Sequence, residues 1–98
     1  VNKPDQHTVV VVTLTPHPEH YSVVVDLILE VIPEIHRDPG CVLYALHETV
    51  DNDVVLIESW VDRDAWLAHF ELPAIVRLKK ELPPWLATPA KRVEMYAL

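Results

Sequence analysis

His69 follows Trp66 by three residues in a stretch with helix-like spacing, and an imidazole is the side chain best suited to moving a proton near neutral pH. The i, i+3 relation turns both rings toward one region. By strand alternation Glu58 shares a face with Leu56 and Trp60, so it points at a packed layer rather than at water, where a carboxylate needs a Lys, Arg or His partner. Trp60, Trp66, Phe70 and Tyr44 can supply aromatic walls, and Arg77, Lys79 and Lys80 a positive field. This set fits an apolar pocket that takes a proton from a bound hydroxyl and steadies the anion that forms.

Each residue also has a plainer reading. Core packing accounts equally for Trp60, Tyr44 and Phe70. Trp66 can staple a short helix to a sheet, His69 can bond a backbone carbonyl, Glu58 can pin a helix, and the basic run can be a solvated helix face. His17 and His20 flank Pro18 without a certain third ligand, so no metal is expected. Cys41 has no activating neighbour and reads as a packed thiol.

Composition narrows the classes. The 98 residues suit one domain, 1–98, with residues 1–7 expected as a flexible N-terminal segment. A net charge of −7 disfavours nucleic acid, a lone Cys excludes internal disulfides and Cys-based zinc sites, and a single Gly excludes phosphate-cradling loops. The charge is uneven. Residues 1–76 carry three basic against thirteen acidic side chains, and residues 77–98 five against two. No apolar run approaches the ~20 residues of a membrane span, and neither a membrane nor export is expected; the cytoplasm is the default compartment.

The elements that must position these residues follow from periodicity. Thr8–Thr15 is a β-branched run stopped by Pro16 and reads as a strand buried on both faces. Tyr21, Val24, Val25, Ile28, Leu29, Ile32 and Ile35 recur at helical spacing up to about Arg37, with a kink or early break expected at Pro33. Asp38-Pro39-Gly40 ends that helix, with Gly40 expected in the left-handed conformation. Residues 41–49 and 54–61 form a hairpin around Asp51-Asn52-Asp53. Asp62 can cap a helix that breaks near Pro73, a second segment runs from Ala74 to about Leu82, and residues 91–98 close as a strand.

The order β-α-β-β-α-β is the ferredoxin-like, α+β arrangement: a four-stranded antiparallel sheet with helices on one face. The middle strands are apolar on both faces, Val42, Tyr44 and Leu46 alternating with Cys41, Leu43 and Ala45. A bare face of that kind predicts a homodimer packed sheet on sheet, with the helices outward and His47 on the dimer side.

Three segments in order carry a family likeness: Arg37-Asp38-Pro39-Gly40-Cys41-Val42-Leu43-Tyr44-Ala45-Leu46-His47, Leu56-Ile57-Glu58-Ser59-Trp60, and Asp64-Ala65-Trp66-Leu67-Ala68-His69-Phe70. They resemble the antibiotic biosynthesis monooxygenase (ABM) superfamily. The resemblance covers about residues 8–98 and implies a dimeric α+β barrel. It also implies one of several activities, among them cofactor-independent oxygenation of phenols and quinols by dioxygen, haem degradation and isomerisation of a sugar phosphate. Trp60 matches the pocket tryptophan of the polyketide monooxygenases, Trp66 stands at their helix tyrosine, and Lys80 lies near their arginine, with Lys79 and Arg77 as alternatives. Leu56 replaces the asparagine that holds their phenol. The haem-degrading pattern is not matched, since it places an asparagine near Val10, a tryptophan at His69 and a histidine near Lys79.

The expectation is therefore a quinol-monooxygenase-like enzyme without cofactor or metal, acting on a small aromatic molecule. His69, Trp60 and Lys80 would be catalytic, and Trp66, Tyr44, Leu56, Glu58 and Phe70 would bind substrate. A non-catalytic small-ligand or stress-related module and an isomerase of a small polar metabolite remain as alternatives.

Overall fold

The computed structural model describes residues 6–98. Four strands, β1 (Thr8–Leu14), β2 (Cys41–Glu48), β3 (Val54–Trp60) and β4 (Lys91–Tyr96), form one sheet in the order β2-β3-β1-β4 with every pairing antiparallel. Helix α1 (Tyr21–His36) follows β1, and α2 (Arg63–His69) and α3 (Pro73–Glu81) lie between β3 and β4. This is the ferredoxin-like α+β architecture read from the periodicity. Among the described residues no helix is long and apolar enough to cross a membrane.

The local causes are legible. Asp62 caps α2, its carboxylate accepting the Ala65 N–H at 2.8 Å, so the chain turns into the helix directly after the β3 tryptophan. Leu72 is extended before Pro73, which opens α3 with its ring at the first turn, where no N–H partner is needed. Pro83 and Pro84 end α3 in a short 3-10 turn. The following segment is tied to the exit of β1 by Ala87 N–H to Thr15 O, 2.7 Å, and His17 N–H to Trp85 O, 2.9 Å.

Several expectations need correcting. Helix α1 does not break at Pro33, whose side is exposed; it runs to His36. Its buried stripe is Val24, Leu27, Ile28, Val31 and Ile35, while Leu29 is on the solvent side. No glycine has positive φ. Gly40 is needed for space: a Cβ there would lie 2.7 Å from the Ala65 Cβ, so glycine lets the start of α2 approach the start of β2. The simple alternation along β2 fails because the register shifts between Cys41 and Leu43. Cys41 therefore packs against the core with Tyr44 and Leu46, and Val42 and Leu43 are exposed. β1 is fully buried on one face and half-buried on the other. Of the expected flexible segment, residues 1–5 lie outside the described residues. Gln6 and His7 are tied down, Gln6 donating to Ala97 O at 2.8 Å and His7 O accepting from Ala97 N at 3.0 Å.

The core lies between the sheet and the helices, with Val10, Val24, Ile28, Ile35, Val54 and Trp60 wholly buried. The opposite sheet face is open. There Leu43, Val93 and Met95 are each more than a third exposed, and Val9, Val11, Val55 and Ile57 are half-buried between them. β4 has its apolar Val93 and Met95 on this open side and turns Arg92 and Glu94, in register with Val12 and Val10, toward the helix layer.

Candidate active site

A cavity of about 520 Å³ opens between the sheet and the two short helices. Its floor is Val12, Leu14, Tyr44, Leu56 and Glu58 from three strands. His69 and Phe70 form one wall, Ile75, Leu78, Lys79 and Leu82 the other, and residues 86–90 with Arg92 complete the rim. The volume is that of an ordinary small-molecule site and the lining is mainly apolar, with a few polar groups converging on it.

Glu58 sits on this floor with 3 % of its surface exposed. β3 alternation aims it inward, as the sequence predicts. One carboxylate oxygen, Oε1, accepts the Trp60 indole N–H at 3.0 Å and lies 3.7 Å from His69 Nε2. Burial pushes the Glu58 carboxyl up to about 7, against the Trp60 hydrogen bond and the positive Arg92, which both favour its ionised form. His69 is equally buried, and burial lowers its pKa, with the Trp66 carbonyl opposing and Arg92 reinforcing the shift. The carbonyl oxygen of Trp66 can only accept, so it fixes the proton on His69 Nδ1. In the neutral ring Nε2 is then a lone pair facing Glu58. A separation of 3.7 Å exceeds a hydrogen bond, and a hydroxyl lying between these two acceptors can donate its single proton to either.

Aromatic rings hold this pair in place. His69 lies 4.6 Å from the Trp60 ring and 4.3 Å from Phe70, and Trp66 stands 5.2 Å behind Phe70. The Tyr44 hydroxyl, buried beside Glu58, has its pKa raised by desolvation first and by Glu58 second, so it is a neutral donor at physiological pH. The Cys41 thiol is likewise pushed up by burial, then by Asp38 and Glu58, and is no nucleophile.

Five of the eight residues singled out from the sequence line the cavity: Tyr44, Leu56, Glu58, His69 and Phe70. Trp60, Trp66 and Lys80 do not. Trp60 lies beyond Glu58 on β3 and is wholly covered, so it supports the wall from behind. Trp66, one helical turn before His69 and Phe70, is buried with its indole N–H unpaired. Lys80 is rotated one position around α3 from Lys79, which reaches the cavity in its place. Arg77 is occupied elsewhere, with Glu30 at 3.0 Å and Glu81 at 2.7 Å. Arg92 was missed as a site residue. The alternation of β4 signals it, because Val93 and Met95 on one face force Arg92 onto the other.

Among the described residues no group of three or more His, Cys, Asp or Glu side chains could hold a metal ion. His20 instead stacks edge-on against Trp85, ring centres 4.7 Å apart.

Comparison with known proteins gives a consistent picture. Residues 8–81 match the family described as Antibiotic biosynthesis monooxygenase. An uncharacterized protein of Synechocystis, sll1783, is 33% identical over 63 residues, a stretch covering 62% of this chain and 42% of that protein. The chain thus spans less than half the length of that curated relative. The crystal structure of PA3566 from Pseudomonas aeruginosa superposes with a TM-score of 0.88 at 20% identity, over 99% of both chains. Rv0793 from Mycobacterium tuberculosis superposes with a TM-score of 0.90 at 24% identity, over 94% of this chain and 95% of its own. These two likenesses establish the fold, and the family match over three quarters of the sequence establishes more: the chain belongs to the antibiotic biosynthesis monooxygenase family.

Proposed function

We propose that this protein is a cofactor-independent monooxygenase of a small phenol or quinol, bound in the cavity between sheet and helices. The observation that carries the reading is the Glu58 carboxyl, raised to about 7 on an apolar floor and 3.7 Å from a neutral His69. A base of that strength is far better matched to a phenolic proton than an ordinary carboxylate.

With a phenol hydroxyl between the two groups, its single proton moves to ionised Glu58, whose carboxyl then donates to the phenolate oxygen, and the lone pair at His69 Nε2 is a second acceptor for that proton. The phenolate passes one electron to dioxygen, and the resulting radical pair combines, forming a ring C–O bond. Loss of the ring C–H proton and cleavage of the O–O bond then leave a carbonyl on the ring. The second oxygen departs as water, taking up a proton from Glu58. The apolar walls keep water from the reduced oxygen. Leu56 gives the phenol no hydrogen bond, which leaves the oxygen to the Glu58 carboxyl.

The active unit in this proposal is a homodimer joined through the open sheet face, which offers a half-exposed apolar surface of strand residues. Light scattering should give twice the chain mass at micromolar concentration, and the mass of one chain would overturn this part.

Oxygen-electrode assays over a panel of quinols and hydroxylated aromatics test the activity. Uptake on at least one substrate, falling about 100-fold or more in both Glu58→Gln and His69→Ala, is expected. No uptake on any of them, with ligand binding retained, would make the protein a binding module instead.

A further inference from the structure

The basic residues of the C-terminal half divide into those already paired and those left open. Arg63 is held by Glu94 at 2.6 Å, and Arg77 by Glu30 and Glu81. Lys79 and Arg92 have no carboxylate within 4.0 Å among the described residues, and both line the cavity. They arrive from different elements, α3 and β4, and meet over one ring. Arg92 Cζ lies 5.1 Å and Lys79 Nζ 5.9 Å from the centre of Phe70. Among the described residues neither side chain donates a hydrogen bond, so their N–H groups are available to a ligand. Among the described residues Lys80 and Lys91 have no carboxylate partner either, but neither reaches the cavity, and Lys91, in register with Thr13, stands on the opposite sheet face. In a chain of net charge −7, two unpaired cations at the mouth of one apolar cavity form a specific anion-binding feature.

We propose that the ligand of this cavity is an aryl carboxylate, with its ring against Leu56, Phe70 and Leu78 and its carboxylate held at the rim by Arg92 and Lys79. A planar carboxylate suits the guanidinium edge, which can meet both oxygens at once, and the ammonium adds a second charge. The ligand is then polarised end to end, its hydroxyl at the Glu58 floor and its anion at the mouth, which fixes the direction of entry. This inference rests on the cavity being the ligand site of the proposed function, and it names the class of molecule that site selects.

Calorimetric titration of the full chain with 6-hydroxy-2-naphthoate and with its methyl ester separates the ideas. The acid is expected to bind at least about tenfold tighter than the ester, as one or two charge-assisted hydrogen bonds would give. That preference should shrink at high salt and fall below about threefold in Arg92→Gln/Lys79→Gln, while ester affinity is retained, which also shows that the variant folds. Equal affinity of acid and ester, or a preference that survives the double substitution, overturns the proposal and leaves the cavity reading intact. Binding of neither compound overturns both. Tight binding of the acid without oxygen uptake by any hydroxylated aryl carboxylate supports this inference and removes the oxygenase reading.

Discussion

The floor of the cavity and its rim are built on opposite terms. On the floor, Glu58 accepts from the Trp60 indole, His69 is fixed by the Trp66 carbonyl, and all three side chains are within a few per cent of full burial. At the rim, Lys79 and Arg92 stand on exposed positions with only an aromatic face beneath them. The floor is part of the hydrophobic core, so its geometry is set by folding. The rim contributes little to the fold and is free to answer a ligand. Fixed acid/base groups inside and unsatisfied charge outside are what a site needs if chemistry demands pre-organisation and recognition demands available partners.

Emptying the core behind the floor should have the largest effect. Trp60→Ala removes a wholly buried indole and should cost about 3–5 kcal/mol in urea unfolding. It also deletes the hydrogen bond that holds the Glu58 pKa down, so activity in any surviving folded fraction should require higher pH. A loss below about 1 kcal/mol would mean that the floor is not core.

Glu58→Gln keeps an acceptor for the Trp60 N–H but removes the titration. The native carboxyl, at about 7, lies above its ordinary value of 4.5. The folded state therefore keeps a proton that the unfolded chain has lost, and the stability this gives is complete below pH 4.5 and disappears as pH rises to about 7. Integrated over that window the loss is about 3 kcal/mol. The Gln variant should match wild type near pH 4.5 and exceed it by up to that amount at pH 8, while oxygenation fails. His69 acts oppositely: its lowered pKa gives stability that is present above 6.5 and is lost on acidification. Denaturant titrations at several pH values read both slopes, and an unchanged pH profile in Glu58→Gln would mean that the carboxyl is not desolvated.

Gly40→Ala tests the joint between floor and fold with an intermediate effect. The added methyl meets the Ala65 Cβ at 2.7 Å and must push the start of α2 away, costing about 1–3 kcal/mol. Because α2 carries His69, activity should fall more than stability alone explains. Ala65→Gly in the same chain should restore part of both.

The sequence made the floor legible and the rim obscure, for a physical reason. Period-two alternation along Leu56, Glu58 and Trp60 states which face they share, and helical spacing brings His69 toward it, because burial imposes a pattern on types. The roles within that face were less legible: Trp60 is covered by α2, which only packing reveals. On the rim no burial constraint selects residue types, so Lys79 and Lys80 were interchangeable on paper and the helix phase decided between them. Gly40 was misjudged because a close approach leaves the same mark as a left-handed turn. The β2 bulge that re-aims Cys41 and exposes Val42 has no mark in composition.

The smallest expected effect is the one that separates rim from floor most sharply. Arg92→Gln removes a charge from an exposed strand position that has no carboxylate partner among the described residues, so unfolding free energy should change by no more than about 0.5 kcal/mol. Arg77→Gln, which breaks contacts to Glu30 and Glu81 on a solvent-exposed surface, should cost somewhat more. If Arg92 serves a ligand, this order reverses in binding: Arg92→Gln weakens capture of an aryl carboxylate while Arg77→Gln leaves it unchanged. A fold that loses several kcal/mol with Arg92 would show that the rim, like the floor, is held by the core, and the division between the two regions would fail.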